Sequence, residues 1–515
     1  LAAVQNTWKS SRESRVFTEW KHCCEHYGVD TESYLNLTSS ALLTPCGEPT
    51  LELEQMSIQE LGRALRSGKL TSVEVLDRAH ACYDRLESRL NVYKTWNGDA
   101  ARKQAQAADL LLQSHVDLGP LMGLPISVKD LFGVPGMPVF AGSDTALPRS
   151  YSAAGPVVRS VLQQVGVITG KTHTVEFAFG GLGVNAHWGT PVNPWSTDGH
   201  RVPGGSSSGA GLSLLQGTAV LALGTDTAGS VRVPASFTGQ AGLKTTVGRW
   251  SCENIIPLSS SLDTPGLLAR HVQDLALAFS AIEAGMGRSV GTAVPTADLS
   301  DIRIGVPSNF FWGDIDTSVA QVVESTLTKL GATAKSVQRM ELPGCDTAFE
   351  VFRAGGLSAP ELSQYMQLNF PEKIARLDPV VQLRVEGAQQ VSSVEYLRRK
   401  AVLQRCGTDA LMVFRDVDVL ATPTVAIPPP LMSELESVEA YGRLNMLALR
   451  NTVIANLFGW CALTLPVGLD ARGLPVGLQL IAPPHAEEKL LAMGMAFEQC
   501  LGQGPDLLGR APGLA

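Results

Sequence analysis

Three segments of this 515-residue chain gather one lysine and several serines amid dense glycine: Leu124-Pro-Ile-Ser-Val-Lys129-Asp130, Pro203-Gly-Gly-Ser206-Ser207-Ser208-Gly209 and Gly224-Thr-Asp226-Thr227-Ala228-Gly229-Ser230-Val-Arg232. Read together they are the parts of a nucleophile relay. A serine hydroxyl is a weak nucleophile until a positioned base takes its proton. Lysine can be that base when neutral, and burial can bring its pKa from about 10.4 to about 7–8, where general-base work is efficient. Lys129 ends an apolar run with the look of a buried strand and precedes a Gly/Pro loop, so it is either desolvated or the first residue of an exposed turn.

The other two segments need elements to hold them. Gly204 and Gly205 free the backbone before three successive serines, and Gly209-Ala-Gly-Leu-Ser-Leu-Leu reads as a helix start. A flexible linker is the bland alternative. It fits poorly, because an apolar helical run and then Ala219-Val-Leu-Ala-Leu-Gly-Thr, a buried strand, follow. In the third segment that strand ends in small residues whose successive N–H groups can converge on one point, as an oxyanion requires. Each such donor is worth about 2.7–4 kcal/mol in acyl transfer. The alternative is an ordinary βα turn with a serine N-cap.

Gly205-Ser206-Ser207-Ser208-Gly209 also matches G-x-S-x-G, which would make Ser207 a nucleophile with His271 or His485 as base. That motif needs a strand before it. The turn-rich Asn193-Pro-Trp-Ser-Thr-Asp-Gly-His-Arg-Val-Pro cannot supply one.

With these segments in view the chain resembles the amidase signature family of Ser-cisSer-Lys hydrolases. Further matching stretches are Gly189-Thr-Pro-Val-Asn193-Pro-Trp195, Gly239-Gln-Ala-Gly-Leu-Lys-Thr-Thr-Val-Gly248, Ser261-Leu-Asp263-Thr-Pro-Gly266 and Leu474-Pro-Val-Gly-Leu-Gln-Leu-Ile481. The resemblance runs from Met56 to the end. It implies Lys129 as base, Ser206 as bridging serine after a cis peptide bond, and Ser230 as the acyl-accepting nucleophile. It also implies an oxyanion hole from the N–H groups of Thr227, Ala228, Gly229 and Ser230, with Asp226 and Arg232 supporting the turn. The interval from Ser206 to Ser230 equals the family's usual separation. Ala228 and Ser208 stand where glycine is frequent, and Thr245 where proline usually follows; none of these removes a catalytic group.

The implied fold is α/β: a large, mixed, twisted sheet of about ten or eleven strands between helices. The implied activity is an amidohydrolase cleaving C–N bonds of amides, with aryl amides, carbamates (urethanes) and esters in reach, through an acyl-enzyme and without a cofactor or metal. The rival readings are the glutamine-hydrolysing component of a tRNA-dependent amidotransferase and a non-catalytic binding protein on the same scaffold.

The rest of the chain is read from its composition and patterning. A net charge of −8 with no basic stripe argues against a nucleic-acid partner. No apolar stretch reaches about 18 residues, so nothing is expected to span a membrane. Nine scattered cysteines without zinc-like spacing suit reduced thiols in a cytoplasm. His22-Cys23-Cys24-Glu25-His26 has histidines at i, i+4, but reads first as an amphipathic helix. Residues 1–55 are expected to be a helical extension and 56–515 the amidase proper. It opens with a helix at Ile58, followed by another at Thr71, whose hydroxyl and Glu74 make a capping box. Residues 285–440 hold fewer motifs, include a helix over Val319 to Leu330, and are expected to cover the cleft. Near the site, Phe132, Val134, Met137, Phe140, Phe177 and Phe179, with Gly180 and Gly181, are candidate substrate contacts that favour an uncharged substrate, aromatic ones included.

Overall fold

The computed structural model describes residues 55–288 and 294–514, which belong to one compact unit, Glu52–Ala515. The expected helical extension over residues 1–55 and the His22–His26 cluster lie outside the described residues, apart from Gln55.

Helix starts follow the sequence closely. Ser57 and Glu60 form a capping box on helix Ile58–Arg66, and Thr71 and Glu74 form another on Ser72–Leu90. Each cap satisfies N–H groups that the first helical turn leaves without partners. The second helix buries Val75, Leu76, Ala79, Leu86 and Leu90, one stripe at helical spacing. Val73 and Tyr83 are only half-buried, at the stripe's margin.

The strands are β1 (Tyr93–Trp96), β2 (Pro125–Lys129), β3 (Val167–Thr172), β4 (Leu221–Asp226), β5 (Ala241–Lys244), β6 (Thr264–Ala269), β7 (Arg303–Pro307), β8 (Ser336–Met340), β9 (Val419–Pro423), β10 (Cys461–Leu469) and β11 (Pro475–Ala482). They make one mixed sheet in the order β1-β3-β2-β4-β6-β5-β10-β11-β9-β7-β8, as the resemblance implies. β2 lies parallel between β3 and β4, while β6 and β5 continue antiparallel to reach β10. Every residue of β2, β3, β4, β5 and β6 is buried, so these strands read as continuous apolar or small runs without alternation. Helices cover them: Ser208–Leu215 and Arg232–Thr238 pack on the central strands together with Val438–Leu457.

The parallel pairing of β2 and β4 has the consequence that matters for the site. It brings the carboxyl ends of both strands, Lys129 and Asp226, to the same edge of the sheet. In α/β sheets that edge is where ligands bind. Among the described residues no helix is long and apolar enough to cross a membrane, and Cys252, Cys345, Cys406, Cys461 and Cys500 are free thiols.

Candidate active site

Lys129, the last residue of β2, is wholly buried. Its Nζ donates to Ser206 Oγ at 2.7 Å and to Thr225 Oγ1 at 2.8 Å, and among the described residues no carboxylate stands within ion-pair distance of it. Burial lowers its pKa to about 7, against the opposing pull of Asp263 and Asp226. A half-neutral lysine at neutral pH, touching a serine hydroxyl, is equipped to accept a proton.

Ser206 sits in a turn with a cis Gly205–Ser206 peptide bond, and the helix Ser208–Leu215 follows directly. Ser206 is wholly buried, and its carbonyl accepts from Val175 N and Thr174 Oγ1. Ser207 N donates to Ser230 O at 3.2 Å, tying the serine turn to the turn after β4. The G-x-S-x-G reading finds no support: no strand precedes Ser207, and neither His271 nor His485 lines the cavity.

The turn after β4 is held from beneath. The Asp226 carboxylate accepts from Gly229 N (2.8 Å) and Val231 N (3.1 Å), and pairs with Arg232 through Nη2 (2.9 Å) and Nε (3.0 Å). Arg232 also donates to Thr452 O, Gln479 Oε1 and Asn456 Oδ1. Burial alone would raise the Asp226 carboxyl, but the Arg232 charge and these hydrogen bonds outweigh it and hold it well below the usual range. Both side chains are wholly buried, so the pair fixes the loop and stays out of reach of substrate.

Ser230, Ala228 and Thr227 line a cavity of about 240 Å³. Gly229 does not, since its N–H is turned to Asp226; of the four N–H groups expected in the oxyanion hole, this one is already engaged. Thr227 Oγ1 donates to Asp263 Oδ1 at 2.6 Å, and Leu258 N and Ser259 N donate to the other oxygen. Burial lifts the Asp263 carboxyl to about 6 despite these donors. Neither Asp263 nor Thr225 stood among the expected site residues. Asp263 lies in the Ser-Leu-Asp-Thr-Pro-Gly motif, which was the available signal; Thr225 shows none.

Of the expected substrate contacts, Phe179 and Gly180 line the cavity. Gly181 lies beside them and donates its N–H to Asn445 Oδ1. Phe132, Met137 and Phe177 are buried in the main apolar core, and Phe140 packs on Trp188 and Lys94. Apolar side chains close to a site in sequence serve the core first, because the strands they follow are buried on both faces. The remaining walls come from Leu258 and from residues in three later stretches, among them Phe352, Arg353, Ala359, Arg384, Val391, Arg399, Asn445 and Leu449. The charged groups of the lining are Arg353, Arg384 and Arg399, with no carboxylate among them. The expectation of an uncharged substrate rested on apolar residues that mostly lie elsewhere.

The family model for Amidase matches residues 74–491. The chain belongs to the amidase family. Like other members it is a hydrolase acting on C–N bonds. This amidase is 59% identical over 460 residues to 2-amino-5-chloromuconic acid deaminase of Comamonas testosteroni, covering 89% of this chain and 99% of that one. It is 31% identical to the A component of glutamyl-tRNA(Gln) amidotransferase of Geobacter sp. (strain M21), over 87% and 98% of the two chains. A crystal structure of an amidase superposes with a TM-score of 0.78 at 30% identity, covering 87% of this amidase and all of that chain.

Proposed function

We propose that this amidase releases ammonia from a small unsaturated amino acid of the aminomuconate class, with Ser230 as nucleophile, Ser206 as proton bridge and Lys129 as base. The observation that carries the reading is the contact between buried Lys129 Nζ and Ser206 Oγ, next to a serine that opens on a cavity. Ser230 Oγ adds to an sp² carbon bonded to nitrogen, the carbonyl carbon of an amide or C2 of the protonated imine (iminium) tautomer of a 2-aminodienoate. Its proton passes through Ser206 to Lys129. The N–H groups of Thr227, Ala228 and Ser230 face charge that develops on oxygen in the amide case. Lys129 then protonates the nitrogen, the C–N bond breaks and ammonia leaves. Water adds to the same carbon, gives its proton to the relay, and the C–O bond to Ser230 breaks, restoring the hydroxyl and leaving an acid or a 2-oxo product.

The choice of substrate class leans on the 59% identity to a deaminase of 2-amino-5-chloromuconic acid, against 31% to an amidotransferase component. The test is ammonia release from 2-amino-5-chloromuconic acid, glutamine, neutral primary amides, anilides, carbamates and esters, with amine or alcohol release followed for the last three. Ser230→Ala and Lys129→Ala are each expected to lower kcat by a factor of about 10³ or more. Retained turnover in Ser230→Ala would overturn the relay, and glutamine as the preferred substrate would overturn the substrate class.

A further inference from the structure

A lining with three arginines and no acid selects for negative charge, but the three are not equivalent. Arg399 is spent within the protein: its Nε donates to Glu395 Oε1 and its Nη1 to Gly356 O. Arg353 pairs with Glu350 on the exposed rim. Arg384 differs from both. Among the described residues no carboxylate lies within ion-pair distance of it, and its Nη1 donates to a backbone carbonyl, Phe179 O, at 2.7 Å.

That bond does more than anchor the side chain. Phe179 is itself a wall of the cavity, so the guanidinium is fastened to the lining. Its carbon stands 5.1 Å from the Phe179 ring centroid and 5.9 Å from that of Tyr441. Aromatic faces suit a weakly hydrated, delocalised cation and pre-set its plane. Its Nε and Nη2 form the kind of fork that takes a carboxylate through two parallel bonds.

We infer that Arg384 is the specificity-determining residue of a carboxylate subsite in the catalytic cavity, holding a carboxylate of the substrate remote from the C–N bond that Ser230 attacks. This rests on the proposed function for the identity of the reacting end, while the subsite itself is defined by its own charge and geometry. The class of ligand is a short dicarboxylate. A second carboxylate explains why an apolar cavity keeps an arginine without an acidic partner, since a cation partly removed from water without an anion carries an uncompensated cost.

The experiment is calorimetric titration of the wild-type chain, Arg384→Gln and Arg384→Lys with muconic acid, which has both carboxylates and no amine, and with its neutral diamide. Loss of a charge-assisted bidentate pair is expected to weaken muconate binding about 10- to 100-fold in Arg384→Gln. Arg384→Lys, which returns a point charge without the fork, is expected to recover part of it. The ratio of muconate to diamide affinity should fall in the same order. Muconate that does not bind the wild type, or binds Arg384→Gln equally well, overturns the subsite. The titration needs no turnover, so it is separable from the proposed function, which stands or falls with ammonia release and Ser230→Ala. Thermal melts of each variant show whether it is folded; Arg384→Lys keeps the test open if Arg384→Gln is not.

Discussion

Lys129 illustrates how one side chain takes its chemistry from its surroundings. A lysine is mostly a surface residue. Here the carboxyl end of a fully buried strand strips its water and lowers its pKa to about 7, while its hydrogen bonds to Ser206 and Thr225 are both to neutral hydroxyls. The sign of the pH effect follows. With Lys129 as the proposed base the neutral amine is the active form, so kcat/KM is expected to rise about tenfold per pH unit below about 7 and level off above it. Asp263 favours the ammonium through its negative charge. Asp263→Asn removes that charge, lowers the Lys129 pKa further, and should move the acid limb to lower pH. A pH–rate profile of both proteins checks this; an acid limb that stays in place or moves up would remove Asp263 from the electrostatics of the base.

At the scale of elements, the turn after β4 depends on the helix Val438–Leu457 behind it. Thr452 Oγ1 donates to Ala228 O, Thr452 O accepts from Arg232, and Asn456 donates to Asp226 Oδ1, so one helix face grips the loop at three points. Gly229 lies between them with φ near +135°, and a Cβ there would collide with Thr452 Oγ1. Gly229→Ala is therefore expected to cost about 1–3 kcal/mol from the backbone conformation alone and to displace Ser230 enough to lower kcat by about 100-fold. Denaturant unfolding and steady-state kinetics measure the two effects. Wild-type kcat in this variant would mean that the helix does not set the position of the nucleophile.

The whole molecule joins parts that are distant along the chain. β5 pairs with β10 although more than 200 residues separate them, and β11 joins β10 to β9. A chain ending at residue 440 would lack β10, β11 and nearly all of the helix behind the turn after β4. Two open edges would then face each other across the middle of the sheet, an invitation to mispairing. Such a chain is expected to show no cooperative transition by scanning calorimetry. A cooperative melt would mean that the first half of the sheet is an independent unit.

Much of this was legible from residue order alone. The two capping boxes, the buried strand before Lys129, the helix after the serines and the βα turn at Asp226 all depend on neighbours within a few positions, which the sequence states directly. The pairing of Lys129 with Ser206 came from resemblance, because they stand 77 positions apart in the chain and no local rule connects them. The cavity wall was legible only in part: Phe179, Gly180 and the turn from Thr227 to Ser230 supply some of it, as expected. Phe132, Met137 and Phe140 stood near the site in sequence but went elsewhere, and Arg384 bears no pattern that sets it apart from any exposed helical arginine. Local propensity and hydrophobic period determined which elements form and where they begin. Which side chains meet in the cavity, and with what net charge, was decided only when eleven strands closed into one sheet and the helices settled over it, since contact across a fold depends on packing and not on distance along the chain.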